Sequence, residues 1–367
     1  MSTCYYCEKK LVSKEDLAGE ILDSKIYTLT HEEHIIQNAL GGFLKSSNIL
    51  CKKCGDELNT QIDVDFISIF RNLCNNLKII IDRNTKPNSF VKGNFTLYND
   101  PRITINTNFR RDKWVIYQSN YFFLEEKKII LLILNKPNQK DYIIKKIESD
   151  PNYSTNYKII EINDLQKLEG FISTIFNITN KSFKLGMAKI AAGFATHKGV
   201  KRQNLNNILI NKNFNDKSFF PYYMNTEAQR KFEDIFETYF SPYHFLYIFT
   251  VGSHLVCYID LFSTFKGFIP LDLDYNNSIE EIYYRKTTYL NNNEQKWLNQ
   301  FEDNRFINAY KKIIKKSYSD IINSLSSEEE NNRYLRSIKN SNHYYFYRLT
   351  SYISLLNRNK DYIKLEE

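Results

Sequence analysis

The sequence predicts an α+β chain with a zinc-bound N-terminal module, a mixed sheet-and-helix domain and a helical C-terminal segment. Three observations carry this. Cys4-x-x-Cys7 and Cys51-x-x-Cys54 repeat one spacing. Residues 94–163 and 245–271 hold short apolar runs punctuated by turn-forming residues such as Asn99-Asp100-Pro101. Apolar residues recur at helical intervals over 62–81, 182–195 and beyond Trp297. Strands and helices therefore gather in stretches rather than alternating as regular parallel units. The expected boundaries are 1–66 for the module, 67–90 for a connecting helix, 91–290 for an α+β body, and 291–367 for a segment rich in basic and aromatic residues.

Composition narrows the class. With 42% hydrophobic and 25% charged residues over 367 positions, disorder and fibre are excluded. The longest apolar run, Ile129 to Leu134, is strand length, far short of the ~18 residues of a membrane span. Met1 to Lys10 lacks the apolar core of a secretory signal, so a cytoplasmic chain with no membrane partner is expected. In a reducing compartment, regularly spaced cysteines point to metal rather than disulfides. The net charge of +8 permits a polyanionic partner without requiring one.

The elements follow in order. Each C-x-x-C turn offers two thiolates about one tetrahedral edge apart, and two such turns supply the four soft ligands of a closed zinc site. Cys74 and Cys257 sit in apolar contexts and read as inert buried thiols. Between the two turns, Thr28 to Gly42 places His31, Glu32, Glu33 and His34 shortly before Gly41-Gly42. Metal-assisted chemistry needs an imidazole and a carboxylate beside a tight turn. A helix over 62–81 leads out, with Ile62, Phe66, Ile69, Phe70, Leu73 and Leu77 on its stripe. Strands are expected at 95–98, 103–106, 114–117, 129–134, 142–147 and 157–162, and helices at 165–180, 182–195 and 226–240. A meander follows over 245–271, turning at Val251-Gly252-Ser253 and near Ser263-Thr264. Ser326 to Asn332 reads as a loop.

The order C-x-x-C, Glu33-His34-Ile35-Ile36, Ala39-Leu40-Gly41-Gly42, Asn48-Ile49-Leu50-Cys51-x-x-Cys54, then a helix reaching Ile62-Asp63, resembles the zinc-knuckle branch of the HNH endonucleases, which share a ββα-metal finger. The resemblance covers about residues 4–66. It implies hydrolysis of phosphodiester bonds in DNA, with RNA as a second substrate class. His34 matches the base that deprotonates water, Glu33 the acid that binds the catalytic divalent ion (Mg2+ or Mn2+), and Asn48 the asparagine that orients the histidine. Cys4, Cys7, Cys51 and Cys54 would hold the structural Zn2+. Two positions depart from the family pattern. Gly55 replaces the asparagine or histidine that follows the last cysteine, and Gln37 replaces a frequent proline. Asn59, one helical turn after Gly55, is the expected substitute ligand, with Asp56 second.

The remaining candidates have plainer readings. His31 reads as structural or surface, Glu32 as a solvated acid, Asp63 as structural, and His197, His244, His254 and His343 as structural. Lys45, Lys52 and Lys53 neighbour the finger and could neutralise phosphates beside the cut. Residues 311–316 gather four lysines around Ile313 and Ile314, and 343–348 set tyrosines beside Arg348; basic residues with nearby aromatics can track nucleic acid but more simply form a solvated face over packed rings. Proteins of this shape resemble bacterial defence or mobile-element effectors, and an activating ligand or partner protein could license cutting. Gly186 and Gly193 are isolated glycines that form no phosphate loop. The alternative is a zinc-knuckle nucleic-acid-binding protein that has lost catalysis, motivated by Gly55.

Overall fold

The structure is a computed structural model that describes residues 2–13, 23–77, 79, 91–98, 100–110, 113–153, 155–173, 180–221, 242–287 and 304–324. Compactness groups Met1–Asn84 with Ile178–Glu367 as one unit and Thr85–Asn177 as a second. The finger thus belongs to the same compact unit as the chain after residue 178, a grouping that differs from the boundaries at 66, 90 and 290.

The finger begins with Lys10–Val12 (β1) beside Tyr27–Leu29 (β2), a parallel pair. Glu33–His34 (β3) and Lys45–Ser46 (β4) form a short antiparallel hairpin. Its connection contains a 3-10 turn at Asn38–Leu40 that ends on Gly41 at φ 83°, a backbone angle cheap only for glycine. Lys52–Leu58 (α1) follows, so the order is two strands and a helix. A π-helical turn, Asn59–Asp63, joins α1 to Val64–Leu77 (α2). The single helix expected over 62–81 is therefore a π turn running into an α-helix. Ile62, Phe66, Phe70, Leu73 and Leu77 are buried along it, as the periodicity requires.

In the second unit, Val91–Leu97 (β5), Thr104–Arg110 (β6) and Lys113–Ile116 (β7) form an antiparallel sheet. Asn120–Leu124 (β8) pairs antiparallel with Ile129–Ile133 (β9). The strand expected over 142–147 is instead the helix Lys140–Glu148 (α3). The reason is topological. β9 pairs in parallel with Lys158–Ile162 (β10), and a parallel pair needs a crossover. Ile143 and Ile147, four apart, are the buried residues of that crossover. The helix expected over 165–180 is also corrected. Among the described residues of that range, Leu165–Lys167 turns as 3-10 and Gly170–Ser173 (β11) is a strand paired with β5. Edge pairing has overridden local helical pattern there.

The first unit resumes with Lys181–His197 (α4), almost wholly buried. Two small hairpin strands, Leu209–Ile210 (β12) and Asn213–Phe214 (β13), follow. Phe220–Pro221 (β14), Tyr243–Val251 (β15), His254–Leu261 (β16), Phe265–Asp272 (β17) and Glu280–Lys286 (β18) make an antiparallel sheet in the order β14-β17-β16-β15-β18. Asn304–Ser324 (α5) lays Tyr310, Ile314, Tyr318 and Ile321 onto one face of that sheet. Lys311 and Lys315 on α5 both pair with Glu280, and the hydrogen bond from Lys315, opposed by burial, heads the causes holding Glu280 down at about 2. The lysines of 311–316 and the flanking Tyr310 and Tyr318 thus serve pairing and packing, with Lys312 and Lys316 exposed. The helix expected over 226–240, the loop at 326–332 and the cluster at 343–348 lie outside the described residues.

Phenylalanines join finger to sheet. Phe70 of α2 meets Phe66 at 5.1 Å, Phe265 at 5.0 Å and Phe262 at 5.6 Å between ring centroids. Phe183 of α4 touches the same group. Such aromatic contacts each add about 0.5–1.5 kcal/mol beyond area burial. His244 makes a polar clamp in the same region. Its Nε2–H donates to the Leu40 carbonyl at 2.8 Å, and its Nδ1 accepts from the Phe262 amide at 3.4 Å. Complete burial pushes its pKa down to about 4, so the imidazole is neutral. Among the described residues, no helix is long and apolar enough to cross a membrane.

Candidate active site

Four sulfurs converge first. The Sγ atoms of Cys4, Cys7, Cys51 and Cys54 all lie within 4.8 Å of one another, and Cys7 Sγ is 3.9 Å from Cys51 Sγ. With Zn–S at about 2.3 Å, the edge of a sulfur tetrahedron is about 3.8 Å, so the set is compatible with zinc after a small contraction of the longer sulfur–sulfur separations. Local backbone geometry explains the convergence. The first turn closes through the Glu8 amide to the Cys4 carbonyl at 2.8 Å, and the second through the Gly55 amide to the Cys51 carbonyl at 2.9 Å. The Tyr5 amide donates to the Ile49 carbonyl at 3.0 Å, tying one knuckle to the other. Cys54 donates to Cys4, which pulls the Cys4 thiol down to about 5 and pushes Cys54 up. Cys74 and Cys257 stand outside this cluster, and burial raises both thiols.

The hairpin presents His34. Its Nδ1 lies 3.1 Å from the Gly42 carbonyl, and because a carbonyl can only accept, Nδ1 carries the proton. The lone pair of the neutral ring is therefore on Nε2. His34 is half-buried. Gly42 is itself buried against the Ile36 backbone, so the carbonyl that orients the ring is fixed. Asn48 lies exposed beyond β4, its amide donating to Ser46 Oγ at 3.4 Å.

Glu33 points into a buried charge network. Its Oε1 lies 2.8 Å from Nζ of Lys189, and Lys189 also pairs with Asp63 Oδ2. Gln37 Nε2 donates to the other oxygen of Asp63 at 2.6 Å. Burial works to lower the pKa of Lys189, but the carboxylates of Asp63 and Glu33 outweigh it, and the ammonium is held above its ordinary value. Tyr5, fully buried within reach of these charges, is raised first by burial and then by Glu33 and Asp63. Glu33 Oε2 faces the other way, 3.4 Å from His31 Nε2.

The structure thus brings Glu33 and His34 together on one short strand beside the sulfur cluster. Asn59 and Asp56 are exposed on α1 and the π turn, whereas Asp63 of the same stripe is buried and paired. Lys45 pairs with Glu32 at 3.2 Å, and Lys52 and Lys53 are exposed at the start of α1. The residue that sequence reasoning missed is Lys189. A signal was present, since it is the only charge in Leu185 to Thr196 and lies three residues after Gly186 and four before Gly193. Gly186 abuts Phe66 and Gly193 abuts Ile35 and Ile49, so that stripe of α4 faces the finger.

Residues 23–71 match the family model described as HNH endonuclease. Comparison with curated proteins and with solved structures gave no match.

Proposed function

Proceeding from an HNH endonuclease segment at residues 23–71, we propose that the chain is a metal-dependent nuclease that hydrolyses phosphodiester bonds in DNA. The observation that carries this reading is the bond from His34 Nδ1–H to the Gly42 carbonyl, which leaves Nε2 as the base beside Glu33. His34 Nε2 takes a proton from water as that water attacks phosphorus. The Gly42 carbonyl holds the ring in the accepting tautomer before the transfer and keeps its bond to Nδ1–H in the imidazolium that results. Glu33, fixed at one oxygen by Lys189, offers its other oxygen to a divalent cation, with Mg2+ or Mn2+ matching an oxygen donor. When bound, that cation would offset charge on the phosphate and the departing oxygen. The donor set fits, because Glu33, Asp63 and Lys189 together leave one negative charge for the cation to meet. The four thiolates hold a separate, coordinatively closed zinc that keeps the finger folded. Lys45, Lys52 and Lys53 contribute positive charge near the cut strand, and Asn48 supports the loop that carries His34.

A nucleic-acid-binding protein without catalysis is the second reading, favoured by one observation, the glycine at position 55. Incubating zinc-loaded protein with supercoiled plasmid and with single-stranded RNA, in Mg2+, Mn2+ or EDTA, separates the two. The nuclease reading predicts nicking of DNA that EDTA stops. Retention of DNA without any cut, in every metal, supports the binding protein instead. A role in bacterial defence, and a body that senses an activating ligand or partner, extend the nuclease reading.

A further inference from the structure

The space that a side chain at position 55 would occupy is already filled. A Cβ on Gly55 would lie 2.9 Å from His31 Cδ2, 3.3 Å from His31 Nε2 and 3.5 Å from Glu33 Oε2. The first of these distances is shorter than real Cβ contacts allow, so the imidazole of His31 stands where the residue after the last cysteine would project. It does so from a different element. His31 and Glu33 are two residues apart where the chain enters the hairpin, and the 3.4 Å between His31 Nε2 and Glu33 Oε2 places both side chains on one side. The contacts agree, since His31 and Glu33 meet each other and His34 turns to Gly42.

We infer that His31 replaces the missing side chain at position 55 and joins Glu33 in holding the catalytic divalent cation. The inference rests on the nuclease reading above. Three features support it. The two donor atoms, His31 Nε2 and Glu33 Oε2, are 3.4 Å apart, and neighbouring ligands on an octahedral ion with bonds of about 2.0–2.1 Å stand about 3 Å apart. A small approach of flexible side chains closes that difference. Lys189 takes the other Glu33 oxygen, which aims Oε2 at His31 and not away from it. His31 is 34% exposed while Glu33 is 13% exposed, so the pair is anchored at its inner end and open to solvent and substrate at its outer end.

The donor chemistry carries a consequence for the ion. One imidazole nitrogen beside one carboxylate oxygen favours Mn2+, Co2+ or Ni2+ over Ca2+, relative to a site built from oxygen alone. Asn59 and Asp56, exposed on α1 and the π turn, are then dispensable as ligands.

The test uses the zinc-replete full chain, titrated with Mn2+ and followed by calorimetry and pulsed EPR. Zinc content and melting temperature are checked for every variant. The wild type should bind one Mn2+ beyond the zinc, and Glu33→Gln should abolish it. His31→Gln should weaken binding by at least about tenfold and remove an imidazole nitrogen coupling that His34→Ala keeps. The double variant His31→Ala/Gly55→Asn restores a side chain after the last cysteine and removes the ring that would obstruct it. It should recover affinity to within about threefold of wild type without the nitrogen coupling. If His31→Gln fails to fold, the double variant decides, and failure to bind Mn2+ in a folded double variant overturns the inference. Unchanged affinity and coupling in His31→Gln, with binding lost in Glu33→Gln, overturns the role of His31 and leaves the nuclease reading standing. Absence of a second metal in the wild type would overturn both.

Discussion

Replacing Lys189 with methionine tests the buried network that fixes Glu33. Lys189 is 3% exposed and its partner Asp63 is 7% exposed, so neither charge is rescued by solvent. The substitution keeps most of the side-chain volume and removes only the ammonium. Two carboxylates then face each other with Gln37 as the remaining donor to Asp63. Breaking a buried pair from one side costs about 3–5 kcal/mol, because the surviving charge is left uncompensated. For a folding unit of this size that corresponds to a fall in melting temperature of about 10 °C. Urea unfolding of zinc-loaded protein at neutral pH reads the loss directly. Lys189→Met/Asp63→Asn removes one of the stranded charges and should recover at least half of it. A Lys189→Met protein within about 0.5 kcal/mol of wild type would refute the electrostatic account of α4.

Two further outcomes are expected. Cys51→Ser should lose the finger's zinc, read by elemental analysis, and expose residues 23–71 to limited proteolysis, because structural zinc contributes folding energy outright, about 10–16 kcal/mol in model fingers. His244 makes stability depend on acid. Its folded pKa of about 4 lies below the ordinary value of 6.5, so its contribution is complete above pH 6.5 and is lost as pH falls toward 4. The amount is about 3 kcal/mol, and His244→Gln should flatten that part of the unfolding free-energy profile.

The finger was legible because its chemistry is local. Cysteine spacing, a His beside an acid and a double glycine fall within about fifty residues, and the structure assembles them as a hairpin, a helix and a cluster of four sulfurs. The meander over 245–271 was equally readable, since its strands are neighbours in sequence. What stayed hidden depends on distance along the chain. Residues 142–147 form a helix because β10 pairs in parallel with β9, and no local pattern announces that pairing. Residues 170–173 are a strand because β5, over seventy residues earlier, offers its edge. In the site, Lys189 reaches Glu33 from 156 residues away, as the numbering of the pair shows. Helical spacing marked its face on α4, but the carboxylates it serves are invisible without the fold. The two departures from the family pattern are explained by contacts of the same kind. Gln37 donates to Asp63, and Gly55 makes room for His31.

The measurement that bears most directly on the account is single-turnover cleavage of DNA by wild type, His34→Ala and His34→Gly, with zinc content and melting temperature held equal. A general base contributes about 100- to 10,000-fold, so both variants should lose at least about 100-fold in rate while remaining folded and zinc-loaded. Added imidazole should restore part of the rate to His34→Gly by supplying the missing nitrogen. Cleavage at the wild-type rate by folded His34→Ala would contradict the assignment of the base and, with it, the reading of the finger as an HNH active site.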